Sequence, residues 1–347
     1  MKEMISRLVT GESLNTEEMA DAMRMMMEGA ATPAQIGGFL TALRVKGETV
    51  EEIYGAALVM REKAIRICQG KKGLLDTCGT GGDGKNTFNI STAVAFVVAA
   101  AGVPVAKHGN RAVSSACGSA DVLEELGVDV NLDPVQAEHC IEKTGIGFLF
   151  APHFHQAMKY AVGPRKELGF RTIFNVLGPL TNPAGAELQL MGVYDEKLLS
   201  TLAQVLALLG VKNAMVVHGA GGIDELSLAG ENHLCRVRQG KVESSFKLNP
   251  EEVGLNRAPL EEIQGGDAEM NARILREIFQ GVTGPRRDVV LLNAAVTFLA
   301  AEKVERISDG MKLAAELIDS GATMRKLEEL IEVSRRCARQ MEQTKCS

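Results

Sequence analysis

The stretch Asp76 to Thr92, DTCGTGGDGKNTFNIST, combines glycines at 79, 81, 82 and 84 with Asn89, Ser91 and Thr92. Backbone without β-carbons folds tightly and can turn several amides toward one point. The apolar pair Leu74-Leu75 precedes the stretch and AVAFVVAAAG follows it. That pattern predicts a short strand entering and a buried helix leaving. Amides at a helix start favour an anion, so the fitting chemistry is phosphate or pyrophosphate binding. The alternative is a glycine-rich turn that only tucks a buried helix against its strand. The stretch lacks the Gly-Lys-Ser/Thr end of a Walker A loop and the glycine spacing of a dinucleotide fingerprint.

Three further groups could act with it. Lys107-His108-Gly109-Asn110-Arg111 follows a strand candidate at 102–106, and Ser114, Ser115 and Ser119 come next. Ligand residues of parallel sheets gather at strand carboxyl ends. The plainer readings are a solvated Lys107, a structurally hydrogen-bonded His108 and a small buried Cys117. Asp224-Glu225 follows Gly221-Gly222 at the end of the strand candidate AMVVHG. Paired carboxylates suit Mg²⁺, which reaches a protein through one or two carboxylates and the substrate's phosphates. Alone, they read first as a solvated acidic pair, common at turns; the phosphate loop tips the reading to the metal. Gly163-Pro164-Arg165-Lys166 reads as a helix start, where cations oppose the dipole, so Arg165 is expected to have an anionic partner. His153 and His155 sit two apart on an expected loop without a third nitrogen ligand, a poor metal site. An anion loop, a cationic loop and an acidic pair together suit a sugar-phosphate donor whose pyrophosphate leaves with Mg²⁺ assistance. No Gly-x-Ser-x-Gly elbow or kinase signature is present.

The elements that must position these groups change character along the chain. Residues 1–70 read as helical. Asn15-Thr16 caps a helix over Glu17 to Glu28, Thr32-Pro33 opens a second, and Thr49 with Glu52 forms a capping box for a third, to about Arg66. The MRMMM run is core packing. From Leu74 strands and helices alternate. Strands are expected also at 128–130, 188–193, 214–219 and 289–292, with a polar strand excursion over 231–264. Residues 172–185 read as a turn-rich connection between domains, Asp267 as a helix cap, and the last forty residues as amphipathic helix. The fold class is α/β: a large domain with a mostly parallel central sheet flanked by helices, plus a small all-helical N-terminal domain. The expected boundaries are 1–70 and 74–345.

The net charge of −6 argues against nucleic-acid binding, which would show a basic field. Seven cysteines without a Cys-x-x-Cys spacing read as thiols of a reducing compartment. The first residues lack the apolar core of a signal peptide and no run reaches membrane-span length. A cytoplasmic location is expected, with no membrane partner.

DTCGTGGDGKNTFNIST, VAKHGNRAVSSACGSADVLEELG, GPRKELGFRTIFNVLGPLTNPA, GIDELS and GGDAEMNA together resemble the anthranilate phosphoribosyltransferase family, from about residue 5 to about residue 335. The pyrimidine nucleoside phosphorylases share the plan but carry a different lysine loop in place of KHGNR. The resemblance implies transfer of the phosphoribosyl group from 5-phosphoribosyl 1-pyrophosphate (PRPP) to anthranilate, in tryptophan biosynthesis. It implies PRPP contacts at Gly79, Gly82, Asp83, Thr87, Asn89, Ile90, Ser91 and Thr92. It extends them over Lys107, His108, Gly109, Asn110, Arg111, Ala112, Val113, Ser114 and Ser115, with Ser119. Anthranilate would meet Gly79, His108, Asn110 and Arg165. Mg²⁺, two ions per subunit, would be held by Ser91, Asp224 and Glu225. The resemblance also implies a homodimer through the helical domains, a site at the hinge, and a segment near 165–185 that returns to the helical domain. No general base is assigned.

Overall fold

Three reciprocal caps start the N-terminal helices. Asn15 with Glu18, Thr32 with Gln35 and Thr49 with Glu52 each exchange side-chain and backbone hydrogen bonds. They open helices Thr16–Met27, Pro33–Lys46 and Val50–Lys63, preceded by Lys2–Val9. Glu52 is fully buried, pairs with Lys46 Nζ at 2.8 Å and accepts from the Leu14 amide at 2.9 Å. One buried carboxylate therefore joins a cap, a linker and a neighbouring helix. Met19, Met23, Met26 and Met27 are buried in the core of this bundle, as packing requires. The computed structural model describes residues 1–112 and 116–345.

Among the described residues eight strands follow: β1 Leu75–Gly79, β2 Val105–Gly109, β3 Ile146–Phe150, β4 Leu188–Gly192, β5 Asn213–His218, β6 Asn232–Arg238, β7 Lys241–Val242 and β8 Phe246–Leu248. The sheet order is β3-β2-β1-β4-β5-β6-β7, with β8 beside β6. Pairings from β3 to β5 are parallel, and β6 to β8 join antiparallel. Alternation splits the sheet into two faces. Met215 and Val217 pack with helices Ile90–Ala100 and Pro285–Ala300, whereas Ala214 and Val216 pack with the methionine-rich bundle. Helices Lys159–Leu168 and Ile173–Leu180 share that bundle's core through Ala161, Ile173, Phe174 and Leu177.

Four local expectations are corrected. Residues 128–130 form no strand; the Asp129 amide donates to Ser334 Oγ at 3.1 Å instead of to a neighbouring strand. Val289 to Leu292 lies inside helix Pro285–Ala300. A short, fully buried apolar run has no period that separates strand from helix, and Pro285 at the first turn supplies the start. Gly163-Pro164 does not open a helix: Pro164 is internal to Lys159–Leu168, and Arg165 and Lys166 lie in the last turn. The turn-rich segment 172–185 contains helix Ile173–Leu180, opened by Thr172 and Asn175.

Candidate active site

The parallel strands end along one edge of the sheet, and β1, β2, β4 and β5 end at Gly79, Gly109, Gly192 and His218. The chain leaves β1 toward β2 and β3 on one side and continues at β4 on the other. The crevice between β1 and β4 is therefore the switch point, where open α/β sheets bind ligands.

Two strand-end glycines let an acidic turn press into that crevice. A Cβ on Gly79 would collide with the Asp224 carboxylate, and one on Gly192 with the Asp224 carbonyl. Asp224 Oδ2 accepts from the Gly81 amide at 2.7 Å, and the Asp224 amide donates to Asp83 at 3.4 Å. Glu225 accepts from the Ser91 amide at 3.1 Å. Glycine loop and acidic turn are thus one construction. Burial, with Asp83 adding repulsion, pushes the Asp224 carboxyl up to about 7; burial and Asp224 push Glu225 up to about 8. Among the described residues, no group of three or more His, Cys, Asp or Glu could by itself hold a metal ion. Two buried carboxyls that resist ionisation are oxygen donors short of a cation. That fits Mg²⁺, which takes few protein ligands and completes its shell with phosphates and water.

Lys107 lies within β2 rather than on a loop. It is buried and donates from Nζ to the Thr77 carbonyl at 2.6 Å and to Ser91 Oγ at 3.3 Å. Burial lowers its pKa and nearby Asp76 opposes that. Asp76 is fully buried and accepts from the His108 amide at 3.1 Å and from Asn182 Nδ2 at 2.8 Å. Asn89 makes no side-chain cap; its Nδ2 donates to the Cys117 carbonyl at 3.2 Å. Its Oδ1 accepts from Asn271 Nδ2 at 2.9 Å, and Asn271 accepts from the Gly266 amide at 2.8 Å. Thr87 bridges to Gln264, and Ile90 and Thr92 are buried beneath the loop.

Beyond β2, Asn110 Oδ1 accepts from the Arg111 amide at 2.8 Å, and Ser119 Oγ donates to the Asn110 carbonyl at 3.3 Å. A Cβ on Gly109 would meet Ser119 and Phe148. Arg111 is held by Glu124, at 2.7 Å for one of two contacts, and by Asp121 at 3.1 Å. Asp121 also accepts from the amides of Ala112 and Gly118, at 2.9 and 2.8 Å. Val113, Ser114 and Ser115 lie outside the described residues.

The opposite wall comes from the bundle side. In a last helical turn the dipole favours Arg165, so a dipole penalty does not signal its partner. Its surroundings do. The guanidinium lies 4.9 Å over the Phe174 ring, burial lowers its pKa, and it makes no hydrogen bond or ion pair among the described residues. His108 Nδ1 is 3.3 Å from the Gly178 carbonyl. A carbonyl only accepts, so Nδ1 carries the proton and Nε2 keeps its lone pair. His155 stands 5.1 Å from His108, centroid to centroid, and neither Nε2 has a partner among the described residues. Burial pushes both down, to about 3 and about 4, so both are neutral at pH 7. His153 turns elsewhere, to the Leu132 carbonyl at 3.0 Å, so the two histidines do not converge.

Asp76, Asn182, Asn271 and Arg171 are not singled out by the sequence, and His155 is weighed there only as a metal ligand. Asp76 opens the glycine stretch, and an acid inside a buried strand was its available signal. The others meet the site through distant segments.

Residues 71–324 match the family model described as glycosyl transferase family, a/b domain, and residues 2–64 the one described as glycosyl transferase family, helical bundle domain. The anthranilate phosphoribosyltransferase of Petrotoga mobilis is 57% identical over 328 residues, covering 94% of this chain and 95% of that protein. The crystal structure of the Thermus thermophilus anthranilate phosphoribosyltransferase superposes with a TM-score of 0.90 at 45% identity, covering 96% of this chain and 99% of that one. The Saccharomyces cerevisiae enzyme in complex with PRPP and Mg superposes with a TM-score of 0.89 at 30% identity, covering 96% and 98%.

Proposed function

The chain belongs to the anthranilate phosphoribosyltransferase family, and from that premise we propose how its residues carry out the transfer. The enzyme moves the 5-phosphoribosyl group of PRPP to the amine of anthranilate, giving N-(5-phosphoribosyl)-anthranilate and pyrophosphate in tryptophan biosynthesis.

Gly79, Gly82, Asp83, Thr87, Asn89, Ser91 and Thr92 bind PRPP on the amide-rich side, and Lys107 with the loop through Ser119 holds it on the other. Ser91, Asp224 and Glu225 would hold Mg²⁺, two ions per subunit, which would supply counter-charge to the pyrophosphate as it leaves. Support comes from the Asp224 carboxyl lying beside that of Asp83, which adds to its rise in pKa, and from Glu225 accepting the Ser91 amide. Arg165 takes the anthranilate carboxylate through charge-assisted bonds, with His108 and Asn110 beside it. An aromatic amine is neutral near pH 7, so its lone pair is available without a strong base. Alignment and stabilisation of the leaving group are the main tasks.

The chain is read as a helical unit, 1–70, and an α/β unit, 74–345, interrupted near 165–185; the shared bundle core of Ile173 and Phe174 supports this. Val9 and Val45, 72% and 83% exposed on the helical unit, support a homodimer formed there. No helix among the described residues is long and apolar enough to cross a membrane. The buried thiols of Cys68, Cys140 and Cys235 fit a reducing, cytoplasmic location.

The observation that carries the site reading is the joining of glycine loop to acidic turn through Gly81–Asp224 and Ser91–Glu225. Adding PRPP to enzyme and anthranilate should quench anthranilate fluorescence only when Mg²⁺ is present. Equal rates after chelation of Mg²⁺ would refute the metal assignment.

A further inference from the structure

The turn from Gly169 to Thr172 joins the helix carrying Arg165 to helix Ile173–Leu180. It places Arg171 over the tip of the glycine loop. The guanidinium carbon lies 4.1 Å from the centroid of the Tyr194 ring. Its Nε is 3.0 Å from where a Cβ on Gly82 would stand, and Gly82 has a φ of +75°. Gly82 is thus suited both to the left-handed turn and to this close approach.

Tyr194 belongs to the same assembly. Its amide donates to Thr80 Oγ1 at 3.2 Å, and the Thr80 amide donates to the Gly192 carbonyl at 2.9 Å. Stacking occupies a face of the guanidinium and leaves its N–H edge available. Arg171 is half-buried, yet it makes no hydrogen bond or ion pair among the described residues. Arg111, by contrast, is saturated by Asp121 and Glu124. Five N–H donors are therefore held at the loop by an aromatic ring instead of by an acid. The nearby acids are Asp83, Asp224 and Glu225, and the buried cation, Lys107, is engaged by Thr77 and Ser91. A highly charged anion seated on this loop gains from one more cation.

We infer that Arg171 donates to the pyrophosphate group of the donor, reaching it from the wall that carries Arg165. The inference rests on the glycine loop being the pyrophosphate site.

The test is calorimetric titration of the enzyme with inorganic pyrophosphate and Mg²⁺. Arg171→Ala should weaken binding about ten- to a hundredfold, the scale of one charge-assisted bond. Arg171→Lys, which keeps the charge and stem, should recover part of it, and carries the test if the alanine variant does not fold. In kinetics the KM for PRPP should rise while the KM for anthranilate at saturating PRPP stays within about twofold. Tyr194→Ala should weaken pyrophosphate binding in the wild-type background and add nothing in Arg171→Ala. Wild-type pyrophosphate affinity in folded Arg171→Ala, or additive losses in the double variant, would overturn the inference. The functional reading has its own control: failure of the wild-type enzyme to consume anthranilate with PRPP and Mg²⁺ would refute that reading, whatever Arg171 does.

Discussion

The two walls of the cleft handle their polar groups in opposite ways. On the sheet side Lys107, Asn89, Asp224 and Glu225 are bonded to other parts of the protein, through Thr77, Ser91, Asn271 and Gly81. On the bundle side Arg165, Arg171 and the Nε2 atoms of His155 and of His108, whose ring reaches from β2 toward Gly178, have no hydrogen-bond partner among the described residues. Interlocked groups are already oriented, which suits stabilisation of charge that develops during reaction. Unmatched groups lose water on burial without recovering a hydrogen bond, and a ligand can supply it. The difference assigns rigidity to the donor wall and recognition to the acceptor wall.

The largest expected loss comes from breaking the interlocked wall at its acids. Asp224→Asn with Glu225→Gln should lower kcat by about a hundredfold or more, since metal counter-charge is worth several kcal/mol. PRPP binding should lose its Mg²⁺ dependence while anthranilate affinity changes little. A Mg²⁺ titration of turnover decides it, and near-normal rates would contradict the assignment.

Next is Gly79→Ala. The added methyl meets the Asp224 carboxylate, so the smallest side chain already displaces the acid. A shift of about 1 Å costs roughly a hundredfold in such sites. Circular dichroism should show an intact fold, because the clash is with one side chain at a strand end. Full activity would mean that Asp224 moves aside without consequence.

The unmatched wall should respond differently. Arg165→Ala should raise the KM for anthranilate about ten- to a hundredfold, with a small effect on that for PRPP. Lysine should rescue in part, lacking the planar fork. Steady-state kinetics with each substrate varied separates the two effects.

The smallest effect concerns stability. His108 and His155 titrate near 3 and 4 when folded and near 6.5 when unfolded. Below pH 6.5 the unfolded chain binds protons that the folded chain refuses, so stability falls as pH drops toward 4. At pH 5 that amounts to about 2 kcal/mol per histidine at 1.36 kcal/mol per pH unit. Thermal melts of His155→Asn should show a shallower decline over this window. An identical decline would mean that the pair is not held neutral.

Legibility in the sequence follows the same division. The donor stretch was readable because its glycines, the following helix and its hydroxyls are neighbours in the chain. The helical start was readable from its capping boxes. Arg165 was identified for a wrong reason: Pro164 suggests a helix start, but the preceding turn from Lys159 already carries the helix. Val289 to Leu292 misled because burial on every side erases periodicity. Lys107 and His108 moved into β2 because the strand starts at Val105, later than the apolar run suggests. Asp76 with Asn182, and Asn89 with Asn271, join segments 106 and 182 residues apart, which no local pattern encodes. Arg171 needed Tyr194 in place before its unmatched edge meant anything.

The most direct test of the division is acceptor discrimination by kcat/KM for anthranilate against aniline, which keeps the amine and lacks the carboxylate. Wild type should prefer anthranilate strongly, and Arg165→Ala should lose about ten- to a hundredfold of that preference. An unchanged ratio in folded Arg165→Ala would contradict the account, because the unmatched guanidinium would then not be what reads the acceptor.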